Sequence, residues 1–411
     1  GWHHARMLAR TSLLGFLLLA ACNSHSTPPL DGGADGSIAP DAAIDASPDA
    51  GSACPRLPGD PNLPRKVVVS HPFTDTTGVK GTTFEVLDLS AAGALTRENV
   101  TFQMGAAFYG PIVFTPDGKV GLVAQDDGSV GVFRFDASGN PVVVHAAFRD
   151  GFYAQTVVVD PDGSRAWVLD ADTAANGGGV YEVAIGCDGT LTSRGLAVPG
   201  GTANAMAFSP ISGQAVLAAG AALDSPAMTD THLLELASGP PARVASGNAF
   251  GDGMAIVSSV AIPPDGKFAI LSDNGLAAGN RLAVIALPQM TPVGLLSTPN
   301  PAEVVASPFG NAALLLNSDG MDALRVIAYD PSNATAPFTI TGEVSYQNGK
   351  PQLPAAAVVI GRGALKGTVL VAENLAVREL TFSQAGAVTD EALMSFGTDT
   401  PSIVGTVGVQ P

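Results

Sequence analysis

The residues best placed to do chemistry recur at one spacing. Nine residues after Pro116, Pro161, Pro264 and Pro308 stand Gln125, Asp170, Asp273 and Asn317, and Ala219 holds that place after Pro210. Aligning the apolar runs adds Glu373 and His71, so six of the seven equivalent positions are polar or charged. Carboxylate and amide oxygens gathered at one rim suit a hard cation such as Ca²⁺. The same residue types also end strands by hydrogen-bonding turn backbone, and both readings stand at this point. A second group lies in the connections between repeats: Phe108 and Tyr109; Arg149, Asp150, Phe152 and Tyr153; Asp252 and Met254. Aromatics beside an arginine and acids at a concave mouth suit a small polar ligand, although lone aromatics also plug such mouths. For hydrolysis, Asp150, Asp170, Asp273 and Glu373 are the available carboxylates and Arg149 the partner for a developing oxyanion.

Other chemistries lack their residues. No Gly-x-Ser-x-Gly elbow occurs, which removes the usual serine hydrolase arrangement. His71, His145 and His232 have no mutual spacing like a zinc site. Gly361, Gly363 and Gly367 lack the Lys-Ser/Thr ending of a phosphate loop. Lys plus Arg total 20 against 37 Asp plus Glu, a formal charge of -17, so a nucleic-acid partner would be repelled. No catalytic residue is assigned.

The elements that position these residues come from one phrase. Ile112 to Asp126 is an apolar run ending in Pro116, an Asp117-Gly118 turn and a second apolar run, which describes two adjacent antiparallel strands. The phrase returns at Val157 to Asp170 and Val260 to Asp273, and in worn form around Pro210 and Pro308. Successive anchor prolines lie 45, 49, 54 and 44 residues apart, the period of propeller blades with variable loops. Four strands per period are expected, as at 112–115, 120–124, 129–135 and 141–146. Ala355 to Ile360 opens a further blade. At the ends, the first blade lacks an inner strand and Ile403 to Pro411 is an inner strand with nothing after it. The expectation is therefore an all-β, seven-bladed propeller over 66–411, closed by pairing of the C-terminal strand with Lys66 to His71. In that geometry the Pro-Asp-Gly turns lie on one face, the bottom, and the polar strand ends on the other, the top.

Ala-Gly-Ala-Leu-Thr at 92–96, Asp-Gly-Thr-Leu-Thr at 188–192 and Ala-Gly-Ala-Val-Thr at 385–389 repeat between third and fourth strands. With the Pro-Asp-Gly phrases, they resemble the seven-bladed lactonase-like and YVTN-repeat propellers. The resemblance covers Lys66 to Pro411 and rests on structural motifs. It implies the fold, and admits both phosphogluconolactonase-type enzymes and exported proteins of unknown role.

The N-terminus reads as a signal segment over 1–21: Arg10, an apolar run from Leu13, and Leu19-Ala20-Ala21-Cys22. The last four are similar to the lipobox of bacterial lipoproteins, which implies acylation of Cys22; Asn23 after it favours the outer membrane. Residues 22–65, with Asp31, Asp35, Asp41, Asp45 and Asp49 among Ala, Gly, Ser and Pro, are expected to form an extended tether. Cys54 and Cys187 remain, either as free thiols or as a pair. Propeller geometry puts both on the bottom face, which favours a disulfide.

The expected function is that of an exported, lipid-anchored module binding a small polar ligand or an envelope protein through the top face. Tyr109, Arg149, Asp150, Tyr153, Asp170, Asp252, Asp273, Asn317 and Glu373 are the candidate residues, with Ca²⁺ a candidate ion. A lactonase-type hydrolase is the alternative.

Overall fold

The computed structural model describes residues 54, 56–74, 79–108, 110–172, 177–219, 229–237, 240–251, 255–273, 280–317, 324–397 and 404–411. Cys22, Tyr109 and Asp252 lie outside them. The described residues form seven four-stranded antiparallel sheets without a helix. The Pro-Asp-Gly phrase makes a hairpin, as expected: at Asp117-Gly118 the Gly118 N–H bonds back to the Thr115 carbonyl (2.7 Å) and Gly118 takes φ 69°. That left-handed conformation is why glycine ends the phrase. Blade two runs Val113–Phe114, Val120–Ala124, Val130–Phe135 and Pro141–Phe148, from inner to outer strand.

Blade one draws on both ends of this body. Its inner strand is Thr406–Val409, paired antiparallel with Arg65–Phe73 so that Val68 faces Gly408 and Val69 faces Val407. The other inner strands each open a blade: Ala154–Val159, Ala203–Phe208, Val257–Ala261, Pro301–Ala306 and Ala356–Val359 for blades three to seven. Neighbouring inner strands lie side by side around the ring, and Thr406–Val409 is flanked by the inner strands of blades two and seven.

The core is divided accordingly. Second and third strands carry apolar residues on both faces, because each face meets a neighbouring blade. Seven apolar clusters result among the described residues, one in each wedge between adjacent blades. Trp167 belongs to the wedge between blades three and four, fully buried. The wedge between blades seven and one joins Leu370, Ala372 and Val377 to Val67, Val69, Val404 and Val407. Fourth strands are polar and exposed on the rim.

One sequence expectation needs correction at its boundary. Residues 56–64, assigned to the extended tether, lie along the bottom face of the ring. Arg56 bonds through its backbone N–H to the Asp162 carbonyl (2.8 Å) and through its side chain to Asp117 (3.0 Å) and the Gly186 carbonyl (2.7 Å). Gly59 N–H reaches the Pro116 carbonyl, and Asn62 Oδ1 accepts from the Ala364 N–H (3.0 Å). Backbone donors and acceptors of an irregular segment must be satisfied, and here bottom turns of blades two, three and seven satisfy them. Cys54 and Cys187 are disulfide-bonded with Cα atoms 5.2 Å apart, closing 133 residues. The segment is a strap, with Pro58 over the lower end of the channel.

Ring closure through Val407 gives a direct test. Val407→Asp places an unpaired charge in a dry wedge and is expected to destabilise by about 3–5 kcal/mol in chemical denaturation. Val244→Asp on an exposed outer strand is expected to stay within about 0.5 kcal/mol.

Candidate functional site

The polar residues at the tops of the second strands do not form an open rim. His71, Gln125, Asp170, Asp273, Asn317 and Glu373 are all buried. His71, Gln125, Asp170, Asp273 and Glu373 hold backbone or a side-chain partner within their own part of the ring. In blade one, His71 and Arg97 flank Glu85 (3.3 and 2.6 Å), and Arg97 lies over the Phe396 ring that arrives from blade seven (4.9 Å). In blade two, Gln125 accepts from Ser129 Oγ (2.8 Å) and donates to the Ala146 carbonyl (2.9 Å). Asp170 accepts from the Asp172 N–H (2.8 Å). Asp273 accepts from the Ile256 N–H (3.0 Å) and from Arg281 (2.9 Å), whose guanidinium covers Phe250.

Blade seven carries the fullest version. Arg378, 1% exposed, pairs with Glu373 and with Asp390 (2.7 Å) and donates to the Gly349 carbonyl (2.9 Å). Asp390 also accepts from the backbone N–H groups of Gln347 and Asn348 (2.8 and 2.9 Å). Burial would raise its carboxyl, but those N–H groups and Arg378 together hold it below the ordinary aspartate range. The triad thereby fastens the connection into blade seven. In blades five and seven the entering connections leave backbone N–H groups without strand partners; Asp273 and Glu373 at second-strand ends accept from Ile256 and Gln352, and Asp390 on the fourth strand of blade seven accepts from Gln347 and Asn348.

Two of the candidate residues do meet. At the tops of blades two and three, Arg149 pairs with Asp127 (2.5 Å) and the Tyr153 hydroxyl donates to the Asp126 carbonyl (2.8 Å). Lys80 from blade one pairs with Asp126. Burial, then the charges of Asp126 and Asp127, push the Tyr153 hydroxyl above the ordinary phenol range. Gly128 at φ 79° lets the Tyr153 ring lie on the turn: a Cβ there would sit 2.3 Å from the ring. Asp150 is exposed beside them. Asp170, Asp273, Asn317 and Glu373 belong to their separate blades. Tyr109 and Asp252 are outside the described residues.

One residue escaped the sequence reading. Five positions before each anchor proline stand Pro111, Thr156, Ala205, Ser259 and Glu303. In the structure this position on an inner strand faces the next blade, where its polar group meets otherwise unpaired inner-edge backbone. Thr156 Oγ1 donates to the Asn204 carbonyl (3.1 Å), Ser259 Oγ accepts from the Val304 N–H (3.0 Å), and Glu303 Oε2 accepts from the Ala357 N–H (2.9 Å). Thr406 plays this part for blade one through the Gly110 carbonyl. Glu303 differs in being ionisable. Enclosure between the inner strands of blades six and seven pushes its carboxyl up to about 8. A charged residue at a position otherwise held by small or hydroxylic side chains was the available signal.

Glu303 therefore makes stability depend on pH. Below about pH 4.5 the carboxyl is protonated in folded and unfolded chains alike. Between 4.5 and about 8 the unfolded chain loses its proton while the folded chain keeps it, so stability falls as pH rises and levels off above about 8. Glu303→Gln keeps an acceptor for Ala357 and is expected to raise the thermal midpoint, by more at pH 8 than at pH 5; midpoints measured across that range check it. Channel solvent reaches part of the residue, so the gain is smaller than the full shift implies. Arg378→Met leaves two buried acids without a counter-charge and is expected to cost about 3–5 kcal/mol at pH 7, with a smaller loss at pH 4, read by denaturant titration.

No protein-family model matches this chain, and no curated protein matches it. Solved structures do. It is similar to the periplasmic gluconolactonase PpgL of Pseudomonas aeruginosa, at 15% identity and TM-score 0.60, covering 85% of this chain and 99% of that one. Putative 6-phosphogluconolactonases of Bacteroides fragilis and Bacteroides uniformis align at 14% and 13% identity, both with TM-score 0.58. They cover 86% and 84% of this chain and 99% of each of theirs. Identity at that level speaks for architecture alone. The chain thus has the seven-bladed β-propeller fold of the lactonase-like structures, closed through its first blade.

Proposed function

We propose that this protein is an exported bacterial lipoprotein, acylated at Cys22 and held in the outer membrane, whose propeller binds a small polar ligand or an envelope protein through its top face. The strap carries the reading. Residues 56–64 cross the bottom face and the disulfide fastens their start there, so part of that face is occupied by the chain itself. At the top, Lys80, Asp126, Asp127, Arg149 and Tyr153 assemble from three blades. Mixed charges beside an aromatic at the edge of a ring are a surface on which polar ligands orient.

A lactonase-type hydrolase is the second reading, and Glu303 favours it. A carboxyl that titrates near neutrality beside the channel fits a general acid or base better than carboxylates already fixed in buried ion pairs. All three of the similar structures described above carry names of that activity.

The two readings separate by experiment. Thermal-shift screening of polar metabolites against the exported chain is expected to give hits that Arg149→Ala and Tyr153→Phe weaken at least tenfold. The exposed Arg149–Asp127 pair contributes about 0–1 kcal/mol, so folding is expected to survive Arg149→Ala. Hits indifferent to both substitutions sink the top-face reading. Turnover of glucono-1,5-lactone that disappears in Glu303→Gln establishes the hydrolase instead. Cys22→Ser is expected to move the protein from the membrane fraction to the soluble one.

A further inference from the structure

At the lower end of the channel lie two adjoining open depressions of about 350 and 340 Å³, the first edged by Pro58 of the strap, that share Arg362 and Pro411 in their walls. Their size is that of small-ligand pockets. Most of the lining is apolar: Phe114 and Val159 in one, Ile112, Val358, Val359 and Val409 in the other. The cationic groups at their edge are Arg65 and Arg362.

These two arginines, Arg65 buried and Arg362 half-buried, differ from the others that the ring encloses or half-encloses. Arg378 has Glu373 and Asp390, Arg56 has Asp117, and Arg281 has Asp273. Arg65 is 3% exposed, yet its hydrogen bonds all go to neutral carbonyl oxygens, of Pro61 (2.8 Å), Arg362 (3.1 Å) and Gln410 (2.8 Å). Its Nε is buried without a partner. Arg362 donates to the Pro116 carbonyl (3.3 Å), and among the described residues neither arginine pairs with a carboxylate. Asp160 lines the outer cavity but is engaged by Arg165 (2.8 Å). Burial, then the like charge of Arg362, lowers the Arg65 guanidinium from its ordinary range, as expected for neighbouring cations without an anion between them. Acids are not scarce in this chain, with 37 against 20 bases. A buried cation without a counter-charge is costly, and a bound anion removes that cost.

We infer that the lower end of the channel binds a small monocarboxylate with an apolar body, its carboxylate at Arg65 and Arg362 and its hydrocarbon along the ends of the inner strands. The apolar lining selects against a bare inorganic anion, and the two guanidinium groups select against a neutral molecule. This site is on the opposite face from the binding surface proposed above and stands independently of it.

Calorimetric titration of the intact, disulfide-bonded chain with hexanoate, hexanamide and inorganic phosphate tests the inference. Hexanoate is expected to bind, with hexanamide and phosphate each at least tenfold weaker. Arg65 also holds the strap, so the informative substitution is at the more exposed Arg362. Arg362→Gln is expected to weaken hexanoate about tenfold or more, the value of a charge-assisted hydrogen bond, and Arg362→Lys to recover part of it. Absence of hexanoate binding, equal binding of hexanamide, phosphate as tight as hexanoate, or indifference to Arg362→Gln each overturns it.

Discussion

A blade of this ring has two apolar faces, and every blade must therefore have a neighbour on each side. That requirement governs the rest of the structure. Six blades built from consecutive segments would leave two wedges open, and the seventh position is filled by a sheet that takes three strands from one end of the folded body and its inner strand from the other. Val407 lies fully buried beside Val67 and Val69 for this reason. The hydrogen bonds that join Thr406–Val409 to Arg65–Phe73 complete more than a sheet: they convert an open stack with two exposed faces into a closed ring with none.

Closure creates a polar problem at two places, and the sequence answers each with a repeated device. Inner edges of the sheets converge on the channel with unpaired backbone groups. Thr156, Ser259, Glu303 and Thr406 reach across to the next blade and engage them. Connections entering blades five and seven need acceptors for their N–H groups, and Asp273 and Asp390 supply these from inside their blades. Charge is introduced where a neutral group would serve less well: a carboxylate accepts two backbone N–H bonds and an arginine at once. The cost is a set of buried ions whose partners must all be present.

The same ring is asymmetric between its mouths. On the bottom, short Pro-Asp-Gly turns leave a shallow surface on which the strap lies, with Arg56 inserted between the turns of blades two and three. On the top, the connections 125–129 and 149–153 bring residues of blades one, two and three together around Tyr153. Specific chemistry on a repeated scaffold has to come from departures from the repeat, and each notable feature is one: Glu303 where other blades carry an uncharged residue, Arg65 and Arg362 without acids, and the strap, which belongs to no blade.

How much of this was legible varies with the range of the interaction involved. Hairpins at Asp117-Gly118 and its copies, the number of blades, and the complementary defects at the two ends follow from local turn chemistry and from a period that any reader of the sequence can count. The polar positions nine residues after each proline were equally visible. Their role was not, because an aspartate that ends a strand looks the same whether its oxygens face solvent or a buried N–H group such as that of Ile256. Only the tertiary structure decided that Asp273 and Glu373 point into their blades and that Arg149 meets Asp127. It also showed that residues 56–64, polar and proline-rich like the sequence before them, have backbone partners on the ring. The sequence by itself determined the ring, since its period and turns are local properties of the chain. Which polar groups are buried, paired or left facing a cavity was decided by contacts between residues as far apart as Arg65 and Arg362, and those exist only once the wedges have closed.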